Sequence, residues 1–313
     1  MTIYNNINEF NSTDNTILTI GTFDGVHLGH QKVLERLTNS AKENNLESTV
    51  LTFFPHPRTI LNPNKPLKLI NSVKERTELL NRSKVDNLII HPFDKNFSEL
   101  DPEKYVVEIL VKKLKAKIIL IGYDHKFGKN RTADITDLKI YGKKYGFKVI
   151  EIKAEEISNI AISSTKIRKA ISEGNISTAK KYLGYDFSLS GKIVHGKSIG
   201  RTLGFPTANI EVKEEYKLLP KNGVYLIQSV FNHNKYFGMM NIGIKPTIKE
   251  SSKTIEVNFF DFEGDLYHKN IEVNIKKFIR DEIKFDSLEL LKSQILKDKI
   301  NCNSIIDLSL IHI

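Results

Sequence analysis

In the first half of the chain, nearly continuous apolar runs alternate with stretches whose apolar residues recur at three- and four-residue intervals. The runs predict strands over Thr16–Gly21, Ser48–Phe54, Asn87–His91, Lys117–Gly122 and Phe147–Ile152. Between them, His30–Asn44, Ser72–Ser83, Pro102–Leu114 and Ile135–Tyr145 carry the helical spacing, and Thr165–Ser172 and Ile176–Leu183 follow the last strand. This βαβα order is that of an open, doubly wound parallel sheet with helices on both faces. From about Tyr185 the pattern changes to short β-rich segments separated by Gly, Asn and Pro: Leu189–His195, Gly223–Phe231, Lys235–Gly243, Thr254–Phe260 and Ile271–Arg280. Regular short strands with turn signals predict an antiparallel barrel or sandwich. A helix over Ser287–Lys297, capped by Asp286 or Ser287, closes the pattern. Two domains are expected, residues 1–183 and 184–313.

Composition narrows the classes. The net charge of +10 is spread, because lysines alternate with acidic residues and uninterrupted basic runs do not exceed pairs. That describes a solvated surface together with anionic substrates, and no nucleic-acid partner is expected. Runs such as Lys117–Ile121 fall far short of the roughly 18 apolar residues of a membrane span. Met1–Phe10 has no basic and apolar leader pattern, so a soluble, cytoplasmic protein without a membrane partner is expected. The single cysteine, Cys302, offers neither a disulfide nor a zinc spacing.

Chemistry concentrates first in Gly21-Thr22-Phe23-Asp24-Gly25-Val26-His27-Leu28-Gly29-His30, which leaves the first strand and enters the first helix. Ligands of a doubly wound sheet bind at the carboxyl ends of its strands. Gly21, Gly25 and Gly29 let the backbone approach an anion, and the helix start presents free N–H groups to phosphate. His27 and His30 can donate to phosphate oxygens and stabilise charge during substitution at phosphorus. A second basic segment, Ile162–Arg168, has Ser164 or Thr165 to cap a helix and Arg168 one turn on.

The first segment resembles the His-x-Gly-His nucleotidyltransferases. Phe-Asp-Gly-Val-His resembles their flavin-specific branch, as does Thr52-Phe53-Phe54-Pro55-His56-Pro57, with Phe54 where an acidic residue is usual. Gly122 to Asp134 is similar to a further motif of that branch, with His125 and Ala133 where Phe and Gly are usual. The resemblance implies transfer of AMP from ATP to FMN, giving FAD and pyrophosphate with no protein nucleophile. ATP is then expected at Gly21, Phe23, Asp24, Gly25, His27, Gly29, His30, Ser164, Thr165 and Arg168. Flavin is expected at Phe53, Pro55, His56, Pro57, Asp124, Phe127 and Arg131.

In the second half, Gly196–Asn209 combines flexible glycines, the cations Lys197 and Arg201, and a rigid Pro206 followed by Thr207 and Asn209. Glycines and cations suit a flap over ATP phosphates, and the two side-chain oxygens suit Mg²⁺. The run resembles the riboflavin kinase signature ending in Pro-Thr-Ala-Asn, and Leu219–Tyr225, Asn241–Thr247, Ile255–Val257, Asp261–Tyr267 and Ile279–Phe285 continue it, with His268 where Gly is usual. The chain is therefore identified, from about Leu18 to Asp298, as a member of the bifunctional riboflavin kinase/FAD synthetase family. That implies a Rossmann-like adenylyltransferase followed by a Greek-key β-barrel kinase, with Mg²⁺, ATP, riboflavin, FMN and FAD as its ligands. Alternation puts Glu256 opposite Ile255, Val257 and Phe259, and the resemblance makes it the base for the ribityl hydroxyl. Gly196, Lys197, Gly200, Arg201, Gly204, Phe205, Pro206, Thr207, Asn209 and Arg280 are expected to hold ATP or flavin.

Two other readings compete. A different phosphorylated acceptor would leave the barrel as a scaffold, against which the Gly196–Asn209 run argues. A nucleic-acid-binding barrel would use Tyr225, Phe231, Tyr236 and Phe237 as stacking platforms, yet their spacing suits core or edge positions better.

Overall fold

The computed structural model describes residues 1–122, 125–153, 162–195, 204–231, 233–246 and 251–311. The chain divides into two compact units, Met1–Ser164 and Thr165–Ile313.

The first unit is a parallel sheet of β1 (Thr2–Tyr4), β2 (Thr16–Ile20), β3 (Glu47–Phe53), β4 (Asn87–His91), β5 (Ala116–Gly122) and β6 (Lys148–Ile152), in the order β1-β4-β3-β2-β5-β6. Every residue of β2 is buried, which is why the strand reads as an unbroken apolar run. Its alternate residues feed two cores. Ile17, with Val50, Leu88 and Ile118, packs on Leu34 and Leu37 of the first helix, Leu28–Asn44. Leu18, with Leu51, Ile89 and Ile119, packs on Val106 and Leu110. Those two belong to a π-helix, Tyr105–Lys113, where an ordinary α-helix was expected; a short α-helical turn, Pro102–Lys104, leads into it. The polar edge strand β1, which pairs with β4, has no apolar pattern to announce it. Strand order reverses between β2 and β5, so the crevice of this sheet opens where the Gly21–His30 loop leaves β2.

The second unit opens with helices Ser164–Ser172, whose first residue closes the first unit, and Ile176–Leu183. A closed barrel follows, formed by β7 (Ser188–Val194), β8 (Ala208–Glu211), β9 (Gly223–Phe231), β10 (Asn234–Pro246), β11 (Ser251–Phe259) and β12 (Asn270–Arg280), in the order β10-β11-β8-β7-β12-β9 with antiparallel neighbours. Tyr225, Ile227, Met240, Ile242, Ile255, Val257, Val273 and Ile275 fill it. The alternate positions Leu226 and Met239 face outward and are covered by the C-terminal helix through Ile295, Cys302, Ile305 and Ile306. That helix runs from Leu288 to Ile311, well past the expected Lys297, because its inner face keeps meeting apolar barrel wall. No helix among the described residues is long and apolar enough to cross a membrane.

Candidate active sites

At the end of β2 the chain turns through three residues in the left-handed region, Phe23 (φ 48°), Gly25 (φ 86°) and Val26 (φ 32°). A β-branched residue there is costly, and such strain persists only where the surroundings hold it. Two clasps are visible. The Asp24 carboxylate, 1% exposed, accepts the backbone N–H groups of Ile70 at 2.9 Å and Asn71 at 3.4 Å. Arg76, 2% exposed, donates to the Thr22 carbonyl at 2.7 Å. Asp24 therefore shapes the loop, with its carboxylate turned away to the Ile70–Asn71 segment.

The turn delivers His27 as the N-cap of the first helix, where its Nδ1 accepts the His30 backbone N–H at 3.3 Å. An imidazole accepting at Nδ1 carries its proton on Nε2, which leaves Nε2–H as a donor. The His27 and His30 rings stack with centroids 3.7 Å apart, and Phe23 packs on His30 at 5.1 Å. Burial lowers the pKa of His27 to about 4. For His30 burial, then the charges of His27 and Arg76, push it well below the ordinary imidazole value. Both rings are thus neutral donors at neutral pH, and His30 Nδ1 is a buried atom with no hydrogen-bond partner among the described residues, a state that costs about 1–3 kcal/mol. The Ser164 hydroxyl donates to the Asp24 carbonyl at 2.9 Å and so ties Ser164 to this loop. Thr165 and Arg168 lie on the first turns of the helix that Ser164 begins.

The expected flavin residues gather at the ends of β3 and β5. Phe53 ends β3, the Phe54–Pro55 peptide is cis, and His56 caps the short helix Pro57–Leu61 by accepting the Arg58 N–H at 3.0 Å. Phe93 and Phe97, which sequence reasoning did not single out, pack on Phe53 at 5.6 and 5.5 Å. Through Phe97–Tyr105 and Tyr105–Phe127 contacts, each 5.9 Å, an aromatic row connects the two strand ends. Phe127 pairs with buried Ala133, and Arg131 is exposed with φ 56°. Asp124 lies outside the described residues.

In the barrel, Asn209 of β8, Glu256 of β11 and Asn241 of β10 are register partners across three strands. Their side chains therefore share one face. It is the outer face, since the flanking Ile255 and Val257 are buried inside, as the alternation predicted. Thr207 and Asn258 extend the row, and Asn258 Nδ2 donates to the Pro206 carbonyl at 2.7 Å. Thr207, Asn241, Glu256 and Asn258 of this row line a cavity of about 300 Å³ between the barrel wall and the C-terminal helix, together with Phe205, Glu282, Phe285 and Ile295. That volume is at the small end of ligand pockets. Gly204 precedes it with φ 83°. Gly243 leaves room for the Glu282 carboxylate, which a Cβ there would meet. Arg280 lines the cavity, but its guanidinium is forked onto Asp298 of the C-terminal helix, with bonds of 2.8 to 3.1 Å. Gly196, Lys197, Gly200 and Arg201 lie outside the described residues. Asn258 and Asp298 were missed, although Asn258 shares the strand parity of Glu256; Asp298 carried no local signal.

Comparison with known proteins agrees with this division. The FAD synthetase family model matches residues 9–166 and the riboflavin kinase model residues 183–306. Proteins named bifunctional riboflavin kinase/FMN adenylyltransferase are 43% identical in Buchnera aphidicola (from Schizaphis graminum) and 34% identical in Escherichia coli K12. The alignments cover 94% of this chain in both cases, and 94% and 93% of those relatives. A crystal structure from Streptococcus pneumoniae, described as a macrolide-efflux protein, matches with a TM-score of 0.87 at 32% identity, covering 96% of this chain and 98% of that one. The two family models span the sheet with its histidine pair and the barrel with its glutamate. The chain belongs to the bifunctional riboflavin kinase/FMN adenylyltransferase family.

Proposed function

We propose that the family's two reactions run at the two sites described, FMN to FAD at the histidine-bearing loop of the sheet and riboflavin to FMN at the barrel. In adenylylation the FMN phosphate attacks the ATP α-phosphorus and pyrophosphate leaves. His27 and His30, as neutral donors, stabilise the charge that develops there, with Thr165 and Arg168 assigned to the leaving phosphates. The flavin lies against Phe53, Pro55, His56, Pro57, Asp124, Phe127 and Arg131, and apolar stacking suits that surface.

In phosphorylation the ribityl hydroxyl loses its proton to Glu256 and attacks the ATP γ-phosphorus, releasing ADP. The observation that carries this reading is that the register partners Glu256 and Asn241 line the cavity together with Thr207, with Asn209 the partner of Glu256 on the neighbouring strand. Thr207 and Asn209 present hard oxygen donors that fit Mg²⁺. No group of three or more His, Cys, Asp or Glu among the described residues could hold a metal by itself, so the ion would be held jointly with ATP phosphates. When bound, Mg²⁺ supplies charge neutralisation on those phosphates. The segment Gly196–Gly204 is assigned to cover them, and the use of ATP supports a cytoplasmic location.

Chromatography of flavins after incubation with ATP and Mg²⁺, started in parallel from riboflavin and from FMN, tests the reading. Riboflavin should give both FMN and FAD, and added FMN should give FAD. No conversion from either start would overturn it. FMN without FAD would place the failure in the sheet unit, and FAD only from added FMN would place it in the barrel.

A further inference from the structure

Arg76 is a charged side chain buried to 2% exposure on a helix, Val73–Arg82, that contributes none of the expected site residues. Burying a guanidinium is expensive unless its donors are engaged. Two of its engagements are with backbone carbonyls at adjacent strand ends: NH1 to Thr22 O at 2.7 Å, after β2, and NH2 to Phe53 O at 3.4 Å, at the end of β3. Thr22 O also accepts the Thr52 hydroxyl at 3.2 Å, so the carbonyl is held from two directions. It immediately precedes the left-handed run Phe23–Val26 that ends at His27.

The helix bearing Arg76 is itself fixed to this loop. Its capping box joins Ser72 and Glu75 reciprocally, and just upstream the Ile70 and Asn71 N–H groups point at the Asp24 carboxylate. One short segment thus holds the loop at Thr22 and at Asp24, on either side of Phe23.

We propose that Arg76 is a positioning residue for FMN adenylylation: by bridging the Thr22 and Phe53 carbonyls it fixes the histidine-bearing loop relative to the flavin-bearing loop. This rests on the reading of His27 and His30 given above. In this role Arg76 acts through the backbone from which both reactants are approached. A shift of the order of 1 Å in such a frame costs about 10²-fold in rate.

The test is steady-state kinetics of both reactions in the full chain carrying Arg76→Gln or Arg76→Lys. Arg76→Gln should lower kcat for FAD formation from FMN about 10²-fold, with KM for ATP and FMN and the riboflavin kinase rate unchanged. Arg76→Lys keeps the charge but loses the fork, and its kcat should fall between the two. A parental kcat in Arg76→Gln, or a raised KM at unchanged kcat, would overturn the proposal. Should Arg76→Gln fail to fold, Arg76→Lys decides: a lowered kcat beside an intact kinase supports it, and a parental kcat overturns it. If the unsubstituted chain forms no FAD from FMN, the site reading has failed instead.

Discussion

Removing the Asp298 carboxylate tests how the kinase cavity is closed. Asp298 is 4% exposed and sits on the C-terminal helix, where it accepts from Arg280 Nε at 3.0 and 3.1 Å, from Arg280 NH2 at 2.8 Å and from Gln294 at 2.9 Å. Asp298→Ala leaves the Arg280 side chain, 18% exposed, without its counter-ion. Breaking a buried pair from one side costs about 3–5 kcal/mol. Arg280 keeps its bond to the Asp281 carbonyl and some contact with water, so the lower end, about 3 kcal/mol, applies. In a unit of this size that is a fall in Tm of about 6–12 °C for the barrel transition. Leu291 and Ile295 of the same helix line the cavity, so the KM for riboflavin should rise while adenylylation of FMN is unchanged. Scanning calorimetry with parallel kinase and adenylylation assays reads all three. The double variant Arg280→Met/Asp298→Leu, which removes the stranded charge, should recover most of the Tm. Kinase activity recovering with it makes the pair a wall of the cavity; Tm recovering alone makes Arg280 a direct contact for flavin or phosphate. An Asp298→Ala protein with parental Tm and parental kinase would refute the burial argument.

Other expectations follow from the same geometry. Glu256→Gln should depress riboflavin phosphorylation by about 10²–10⁴-fold, with FAD formation from added FMN intact in the same chromatographic assay. His27→Ala or His30→Ala should do the reverse, lowering FAD formation by about 10²–10³-fold and sparing FMN formation; equal loss of both would contradict independent sites. Because burial holds the His27 pKa near 4, below its ordinary value of 6.5, the unfolded chain binds more protons between those values. Stability of the sheet unit should therefore rise with pH across that window and be lost as pH falls towards 4, and thermal melts of His27→Gln at pH 5 and 7 should show a smaller difference than the parent. Burial pushes the Cys302 thiol up to about 12, so a disulfide reagent should label it only after denaturation.

The centre of the parallel sheet was legible because β2, β3 and β5 are almost wholly buried and its helices are buried on one face, patterns that survive in a bare sequence, whereas the exposed edge strand β1 was not. Barrel strands were legible through alternation, except β8, whose four residues follow Pro206 too closely to show a period. The π-helix reads as an α-helix because Tyr105, Val106 and Leu110 suit either winding. His268, standing where the family has Gly, adopts φ 64°, the left-handed region that favours glycine. Its departure from the family pattern is thus a departure at a turn.

What the sequence concealed is the set of charged residues that work from inside. Asp24, Arg76 and Asp298 are buried to 4% exposure or less, yet each belongs to a type that a pattern assigns to solvent. Motif logic drew Asp24 into the nucleotide site by its neighbours and could not show that its carboxylate also clasps a segment about 46 positions away. Arg76 and Asp298 fall on helices without a motif. Their partners, the Thr22 carbonyl and Arg280, lie 54 and 18 positions distant and become neighbours only when the fold closes. The residues proposed to touch substrate follow local spacing, and those proposed to aim them depend on tertiary contact. A substitution series confined to motif residues would therefore measure the chemistry and leave the positioning frame untested.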